Sequence, residues 1–176
     1  VTEADIDNLT VARTGPKNLG EISFSLPNDK VRIYTRSAIK MTEYASDNRT
    51  LDVMSGTISC VIVGKTPAQA FKIRTRNVSI SVSSDRAIFR AGFISKKDQS
   101  GTEISCLAGS LIIDVTRGNA KGTAINLEAG QSIFIPQEGN PEEAQDLLKE
   151  ADEATWQNLD MQFPSGSLWD IFESSM

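Results

Sequence analysis

The sequence predicts a mainly β domain, a two-sheet sandwich or flattened β-roll with a C-terminal helix. Apolar and polar residues alternate with period two between residues 19 and 136, glycines recur at the ends of these runs, and the pattern becomes helical after residue 140. The 176 residues suit one domain with an appendage, because single domains usually hold about 100 to 200 residues. We expect a β domain over residues 1–140 and an acidic helix with an apolar tail over residues 141–176.

The clearest alternation lies between residues 71 and 83. The even positions up to residue 76 are cationic, namely Lys72, Arg74 and Arg76, whereas between residues 78 and 83 the even positions are apolar and the odd positions are serines. A shift of one residue moves every side chain to the opposite face of a sheet. The sequence therefore predicts a bulge or corner at Arg76 and Asn77.

A weak repeat appears when three glycines are aligned. Gly56, Gly109 and Gly130 each follow an apolar strand end and a small residue, and a new β run follows each of them; Gly20 and Gly92 are looser copies. Glycine is suited to a tight bend at which a Cβ atom would clash. We expect Gly56, Gly109 and Gly130 to occupy equivalent bends, after which the chain crosses to the opposite sheet.

The C-terminal segment has helical signals followed by an apolar cluster. Asn140 is suited to the N-cap, Pro141 to the first helical position and Glu143 to a capping box, so a helix is predicted over residues 141–158. After a turn at residues 164–167, the chain carries the apolar cluster Phe163, Leu168, Trp169, Ile171 and Phe172.

Charge is distributed unevenly along the chain. Residues 138–176 carry ten acids and one base, a net charge of −9, so the total of −5 leaves +4 for the rest. An acidic chain without stacking aromatics among its basic residues disfavours nucleic-acid binding. Burial of each large apolar side chain is worth about 1.5 to 3 kcal/mol. We therefore expect residues 141–176 to pack on the β domain or on a neighbouring copy, with their acids facing Lys72, Arg74 and Arg76.

The residue types argue against catalysis. The chain contains no histidine, which removes the commonest general base and the commonest metal ligand. It also lacks the nucleophile-elbow, phosphate-loop, dinucleotide-binding and calcium-loop motifs. No catalytic residue, metal site or cofactor is predicted, although a site made of two carboxylates stays formally open.

The two cysteines allow two interpretations. Cys60 shares a strand face with Ile58 and Ile62, and Cys106 shares one with Ile104, so both thiols are expected to point inward. Buried free cysteines act as small hydrophobic residues, and this interpretation is favoured. A disulfide between Cys60 and Cys106, which an oxidising compartment would permit, is the alternative.

The candidate interaction surface combines the cationic stripe and the apolar tail. Its residues are Lys72, Arg74, Arg76, Leu168, Trp169 and Phe172. A solvated sheet face is the simpler interpretation of the stripe. No segment approaches the ~18 continuous apolar residues of a membrane span, so membrane attachment is expected only through a segment outside this sequence.

Four segments resemble the FecR-like domain family of exported bacterial proteins. They are LDVMSGTISCVI, AFKIRTRNVSISV, AIFRAGFISKKDQSGTEISCLAGSLIIDV and INLEAGQSIFI, within about residues 37–136. The resemblance implies a periplasmic or otherwise extracytoplasmic β domain that relays signals through protein contacts, as in anti-sigma regulators coupled to outer-membrane receptors. We therefore expect a non-enzymatic domain with a protein partner, and self-association stays open. A ligand-binding or glycan-binding β module is the alternative, and an exposed aromatic cluster on a concave β face would favour it.

Overall fold

The computed structural model describes residues 11–23, 29–44, 48–63, 70–96, 98–138, 140–141 and 145–146. Within these ranges the chain forms thirteen β-strands and no helix. The strands are β1 (Val11–Arg13), β2 (Gly20–Ser23), β3 (Lys30–Ile33), β4 (Ala38–Tyr44), β5 (Asn48–Ile62), β6 (Ala70–Arg74), β7 (Val78–Val82), β8 (Ala87–Lys96), β9 (Gln99–Ala108), β10 (Ser110–Val115), β11 (Ala124–Glu128), β12 (Gln131–Pro136) and β13 (Gln145–Asp146).

All thirteen strands join one hydrogen-bonded sheet through the long strand β5. The part of β5 up to Ser55 pairs with β4 and β6, and the part from Gly56 pairs with β3 and β8. We call the strands around the first part, in the order β1-β4-β5-β6-β7-β10-β11, the first half-sheet. Those around the second part, β2-β3-β5-β8-β9-β12-β13, form the second half-sheet.

Gly56, Gly109 and Gly130 lie where the chain passes between the half-sheets. Gly56 divides β5, Gly109 joins β9 to β10, and Gly130 joins β11 to β12. Their φ angles are 81°, 81° and 86°, a region that glycine adopts without steric cost. The predicted equivalence of these three bends is confirmed, whereas Gly20 and Gly92 lie inside β2 and β8 and have no positive φ.

A serine side chain supports the crossing at Gly56 and another supports the crossing at Gly109. The Oγ atom of Ser37 accepts the backbone N–H of Thr57 at 3.0 Å, and the Oγ atom of Ser84 accepts that of Ser110 at 3.0 Å. In both cases the donor is the residue directly after the glycine. The repeat seen in the sequence therefore extends to its hydrogen bonds at two of its three copies.

Both half-sheets contribute to a single core. The fully buried inward residues include Ile58, Ile62, Phe89 and Ile104 of the second half-sheet, and Leu51, Ile73, Ile80, Leu111 and Ile113 of the first. This arrangement follows from the alternation in each strand, because residues two positions apart point to the same face. A hydrophobic core shared by the half-sheets holds their inner faces together.

Asn77 forms a buried polar hub inside this core. Its side-chain amide donates to the carbonyl oxygens of Ile135 at 3.0 Å and Pro136 at 3.3 Å, and its Oδ1 atom accepts the Thr102 hydroxyl at 2.6 Å. Asn77 lies in the turn between β6 and β7, whereas its partners lie on β12 and β9. The hub therefore joins the two half-sheets. The bulge or corner that the sequence predicts at Arg76 and Asn77 corresponds to the turn of the β6–β7 hairpin.

The mainly β class is confirmed, but two parts of the prediction are not. The strands form one continuous hydrogen-bonded sheet rather than two separate sheets. The helix predicted over residues 141–158 is wrong at Gln145 and Asp146, which form β13 and pair with β12. The physical reason is that β12 lies at the border of its half-sheet and offers unpaired backbone groups to a further strand. Pro141 is described and lies in no helix, and residues 142–144 and 147–158 lie outside the described residues.

Candidate interaction surface

Two of the three predicted cationic residues share the outer face of the first half-sheet. Lys72 and Arg74 point away from the core on β6 and are exposed. Arg74 forms a two-pronged ion pair with Asp52 on the neighbouring strand, with its Nε atom 2.7 Å from Oδ1 and its Nη2 atom 3.2 Å from Oδ2. Exposed ion pairs contribute only about 0 to 1 kcal/mol to stability, so this pair mainly fixes the orientation of the guanidinium.

Arg76 does not continue this row. It lies in the β6–β7 turn, and its guanidinium carbon is 5.0 Å from the centre of the Phe93 ring on β8. A cation over an aromatic face is attracted by the ring quadrupole. The stripe therefore consists of two residues on one face, with Arg76 turned toward the second half-sheet.

The surface around Lys72 and Arg74 is polar, and its outward residues on β6, β7 and β10 are exposed or half-buried. The strand register places Lys72 beside Ser81, Ser81 beside Ile112, and Ile112 beside Asn126. Ile112 is 37% exposed, which makes it one of two large hydrophobic residues exposed in the described part of the chain. We call this surface the serine face, and its residues are Lys72, Arg74, Ser79, Ser81, Ile112, Asp114 and Asn126.

The outer face of the second half-sheet is different. Its outward-pointing residues include Arg32, Ser59, Val61 and Ile88, none of which is more than 1% exposed. Phe134, which also points outward in this half-sheet, is 3% exposed. We call this surface the covered face. Arg90, Glu103 and Ser105, which also point outward on β8 and β9, are half-buried, so the full burial is confined to part of this face.

A buried carboxylate brings the two ends of β5 together. Asp29 accepts the backbone N–H of Val63 at 2.8 Å, and its other oxygen lies 2.7 Å from the Arg49 guanidinium. A straight strand of this length would separate Arg49 from Val63 by about 45 Å. The contact therefore requires the sharp bend at Gly56. Burial raises the pKa of Asp29 above its ordinary value, because desolvation of the carboxylate outweighs the Val63 N–H and the Arg49 charge.

Cys60 and Cys106 are free, buried thiols. The register places Phe89 of β8 directly between them, with Cys60 on one side and Cys106 on the other. Two strand spacings separate their Cα atoms by about 9.5 Å, beyond the reach of a disulfide. The disulfide alternative is therefore wrong for this arrangement. Desolvation raises the pKa of the Cys106 thiol to about 12 and that of Cys60 well above 9.0, so neither thiol is nucleophilic near neutral pH.

The remaining predicted site residues, Leu168, Trp169 and Phe172, lie outside the described residues. The described ranges contain no group of three or more Cys, Asp or Glu side chains placed to hold a metal ion. They also contain no helix of the length and hydrophobicity that a membrane crossing requires.

Neither the serine face nor the buried pair of Asp29 and Arg49 was identified as a site from the sequence. The run of alternating serines on β7 was the available signal for the former.

The described strands form a β domain in which the outer face of the first half-sheet carries exposed residues. The family model of the FecR protein matches residues 10–112. The chain therefore belongs to the FecR family, as the resemblance in the sequence implied. The matched range begins before the resembling segments and ends before their last member.

Solved structures agree with this assignment at the level of the fold. Two crystal structures of a "putative anti-sigma factor" from Parabacteroides distasonis match with a TM-score of 0.66 and 15% and 16% sequence identity. Each match covers 85% of this chain, which spans 65% of the length of the matched chain. No match was found among curated protein sequences.

Proposed function

We propose that the chain is an extracytoplasmic protein-interaction and signal-relay domain without catalytic activity, and that the serine face is its contact surface. Membership of the FecR family and the name of the structural neighbour, an anti-sigma factor, support a regulatory role. The absence of histidine from the sequence supports a role other than acid–base catalysis.

The single observation that carries the proposal is the exposure of Ile112 within a polar surface. Ile112 is 37% exposed and is flanked in the register by Ser81 and Asn126. Protein interfaces combine a central apolar contact with a polar rim, and arginine is enriched in them. Ile112 supplies the apolar centre, and Arg74, whose guanidinium is oriented by its ion pair with Asp52, supplies a donor on the same face.

The aromatic residues whose side chains the structure describes do not favour the alternative of a glycan-binding module. Phe71, Phe89 and Phe134 are buried, and Phe93 is half-buried with Arg76 over its ring. A sugar-binding platform needs exposed aromatic faces. A protein partner is therefore the better occupant of the serine face.

Photo-crosslinking in the producing bacterium tests this proposal. A photoreactive residue at Ser81 of the natural gene product should give a specific adduct with one protein, whereas the same residue at Ser105, on the covered face, should not. Ile112→Asp should abolish the Ser81 adduct without lowering the amount of folded protein. An adduct from Ser105 alone, or one from Ser81 that survives Ile112→Asp, would contradict the proposed surface.

A reporter fusion tests the compartment separately. Alkaline phosphatase folds only where its disulfides can form, so its fusion to the C-terminus of the natural gene product should be active. An inactive fusion that is made in normal amounts would place the domain in the cytoplasm and remove that part of the proposal.

A further inference from the structure

The outer face of the first half-sheet separates charges of opposite sign. Lys72 is exposed on β6, whereas Asp114 and Glu128 are exposed on β10 and β11, beyond the serines of β7. Arg74 is neutralised by its ion pair with Asp52. In the part of the chain that the structure describes, the side chains of Lys72, Asp114 and Glu128 form no ion pair. This face therefore has an unpaired cation on one side and unpaired anions on the other.

The strand register gives the spacing of these charges around Ile112. Lys72 and Ile112 lie in one row across β6, β7 and β10, two strand spacings or about 9.5 Å apart. Glu128 pairs with Ser110, so it lies one strand beyond Ile112 and two residues along the strand direction, about 8 Å away. Lys72 and Glu128 therefore flank the exposed apolar side chain on different sides and at nearly the same distance.

We propose that the serine face binds the serine face of a second copy of this chain, with Ile112 at the two-fold axis and Lys72 of each copy facing Glu128 of the other. A two-fold interface has to be complementary to itself. An axis through Ile112 brings groups at equal distances from it opposite each other, so the cation of one copy meets the anion of the other. The inference rests on the function proposed above, because it names the occupant of the serine face.

The distribution of charge favours a second copy over a partner of one strong charge. A face of a single sign attracts a partner of the opposite sign and repels its own copy. Here both signs are present, and they lie on different sides of an apolar centre. Ile112 is 37% exposed, and contact with its symmetry copy would remove this apolar surface from water.

The size of the face predicts a reversible dimer. It is four strands wide, from β6 to β11, which is about 14 Å, and the five residues of β11 give it a length of about 17 Å. This is smaller than the ~800 Å² that each partner buries in a standard stable interface. We therefore expect monomers, with the serine face exposed, to predominate in dilute solution.

Sedimentation of the full chain over a wide range of concentrations tests the proposal by charge exchange. The unmodified protein should form a dimer as its concentration rises. Lys72→Glu and Glu128→Lys should each raise the dissociation constant about tenfold or more, because each places like charges opposite each other. An equal mixture of the two variants should dimerise nearly as well as the unmodified protein, since both contacts in the mixed dimer again join opposite charges.

Arg90→Glu, on the covered face, is the matched control and should leave the dissociation constant unchanged. A mixture that dimerises no better than the separate variants would overturn the proposal, as would a monomer at every concentration. A monomer in solution together with a Ser81 crosslink to a different protein would overturn this inference and leave the proposed contact surface intact. A crosslink from Ser105 alone would remove both.

Discussion

Replacement of Gly109 by alanine is expected to destabilise the domain more than replacement of Gly130, although both have nearly the same φ angle. Both variants place a Cβ atom at a φ above 80°, which costs about 1 to 2 kcal/mol for a residue other than glycine. At Gly130 no other atom lies within 4 Å of the new Cβ atom. At Gly109 the new atom would lie 2.2 Å from the carbonyl oxygen of Arg86. The crossing between β7 and β8 would therefore have to move.

The overpacking at Gly109 adds about 1 to 3 kcal/mol, so the total loss is about 2 to 5 kcal/mol for Gly109→Ala and about 1 to 2 kcal/mol for Gly130→Ala. In a chain of this size each kcal/mol lowers the melting temperature by about 2 to 4 °C. We expect the melting temperature, measured by circular dichroism, to fall by about 4 to 20 °C in Gly109→Ala and by about 2 to 8 °C in Gly130→Ala. Gly122→Ala is the control, because its φ is 92° with no atom within 4 Å. Equal losses in Gly109→Ala and Gly122→Ala would refute the reasoning.

Three further predictions follow from buried groups. Asn77→Ala should lower the free energy of unfolding by about 2 to 4 kcal/mol in urea titrations, because buried hydrogen-bonding partners such as the Thr102 hydroxyl lose their bonds; an unchanged midpoint would contradict the role of the hub. Arg49→Met should cost about 3 to 5 kcal/mol near neutral pH, against about 0 to 1 kcal/mol for the exposed control Arg74→Met. The pKa of Asp29 in the folded protein is raised above 3.8. The ionisation of Asp29 therefore lowers the free energy of unfolding as the pH rises from the unfolded pKa to the folded pKa. Loss of the Arg49 charge strengthens this effect, because it raises the folded pKa further. The deficit of Arg49→Met should therefore shrink toward acid pH, and a deficit that grows there would reverse the assignment. Cys60 and Cys106 should not react with a thiol reagent in the native protein, and both should react after the protein is unfolded in the absence of reductant. Fewer than two reactive thiols in the unfolded chain would indicate a disulfide.

Local patterns predicted the strands and the crossings well. The alternation between residues 71 and 83 identified the inward residues of β6 and β7, because the side-chain period of a strand is a local property. The crossings at Gly56, Gly109 and Gly130 were also predictable. Each crossing requires a positive φ, which glycine adopts most easily, so the sequence carries a glycine at each of these positions. The family was identified from the same glycine motifs.

Contacts between distant residues could not be predicted in the same way. Asp29 meets both Arg49 and Val63 only because β5 bends at Gly56, and the degree of that bend is not encoded in any local pattern. The helical signals at Asn140 and Pro141 were overridden at Gln145 and Asp146, where pairing with β12 satisfies the backbone. The burial of Val61 and Ile88 could not be predicted from the sequence either, because an apolar residue in a strand does not show which face it occupies or what covers it.

The account depends most on the difference between the two outer faces. Hydroxyl-radical footprinting of the full chain measures this difference directly, when the oxidation rate of each residue is divided by its rate in the unfolded chain. We predict a relative rate at Ile112 on the serine face that is several times higher than the relative rates at Ile88 and Phe134 on the covered face, since Ile112 is 37% exposed and the other two are 1% and 3% exposed. Similar relative rates at all three residues would contradict the account.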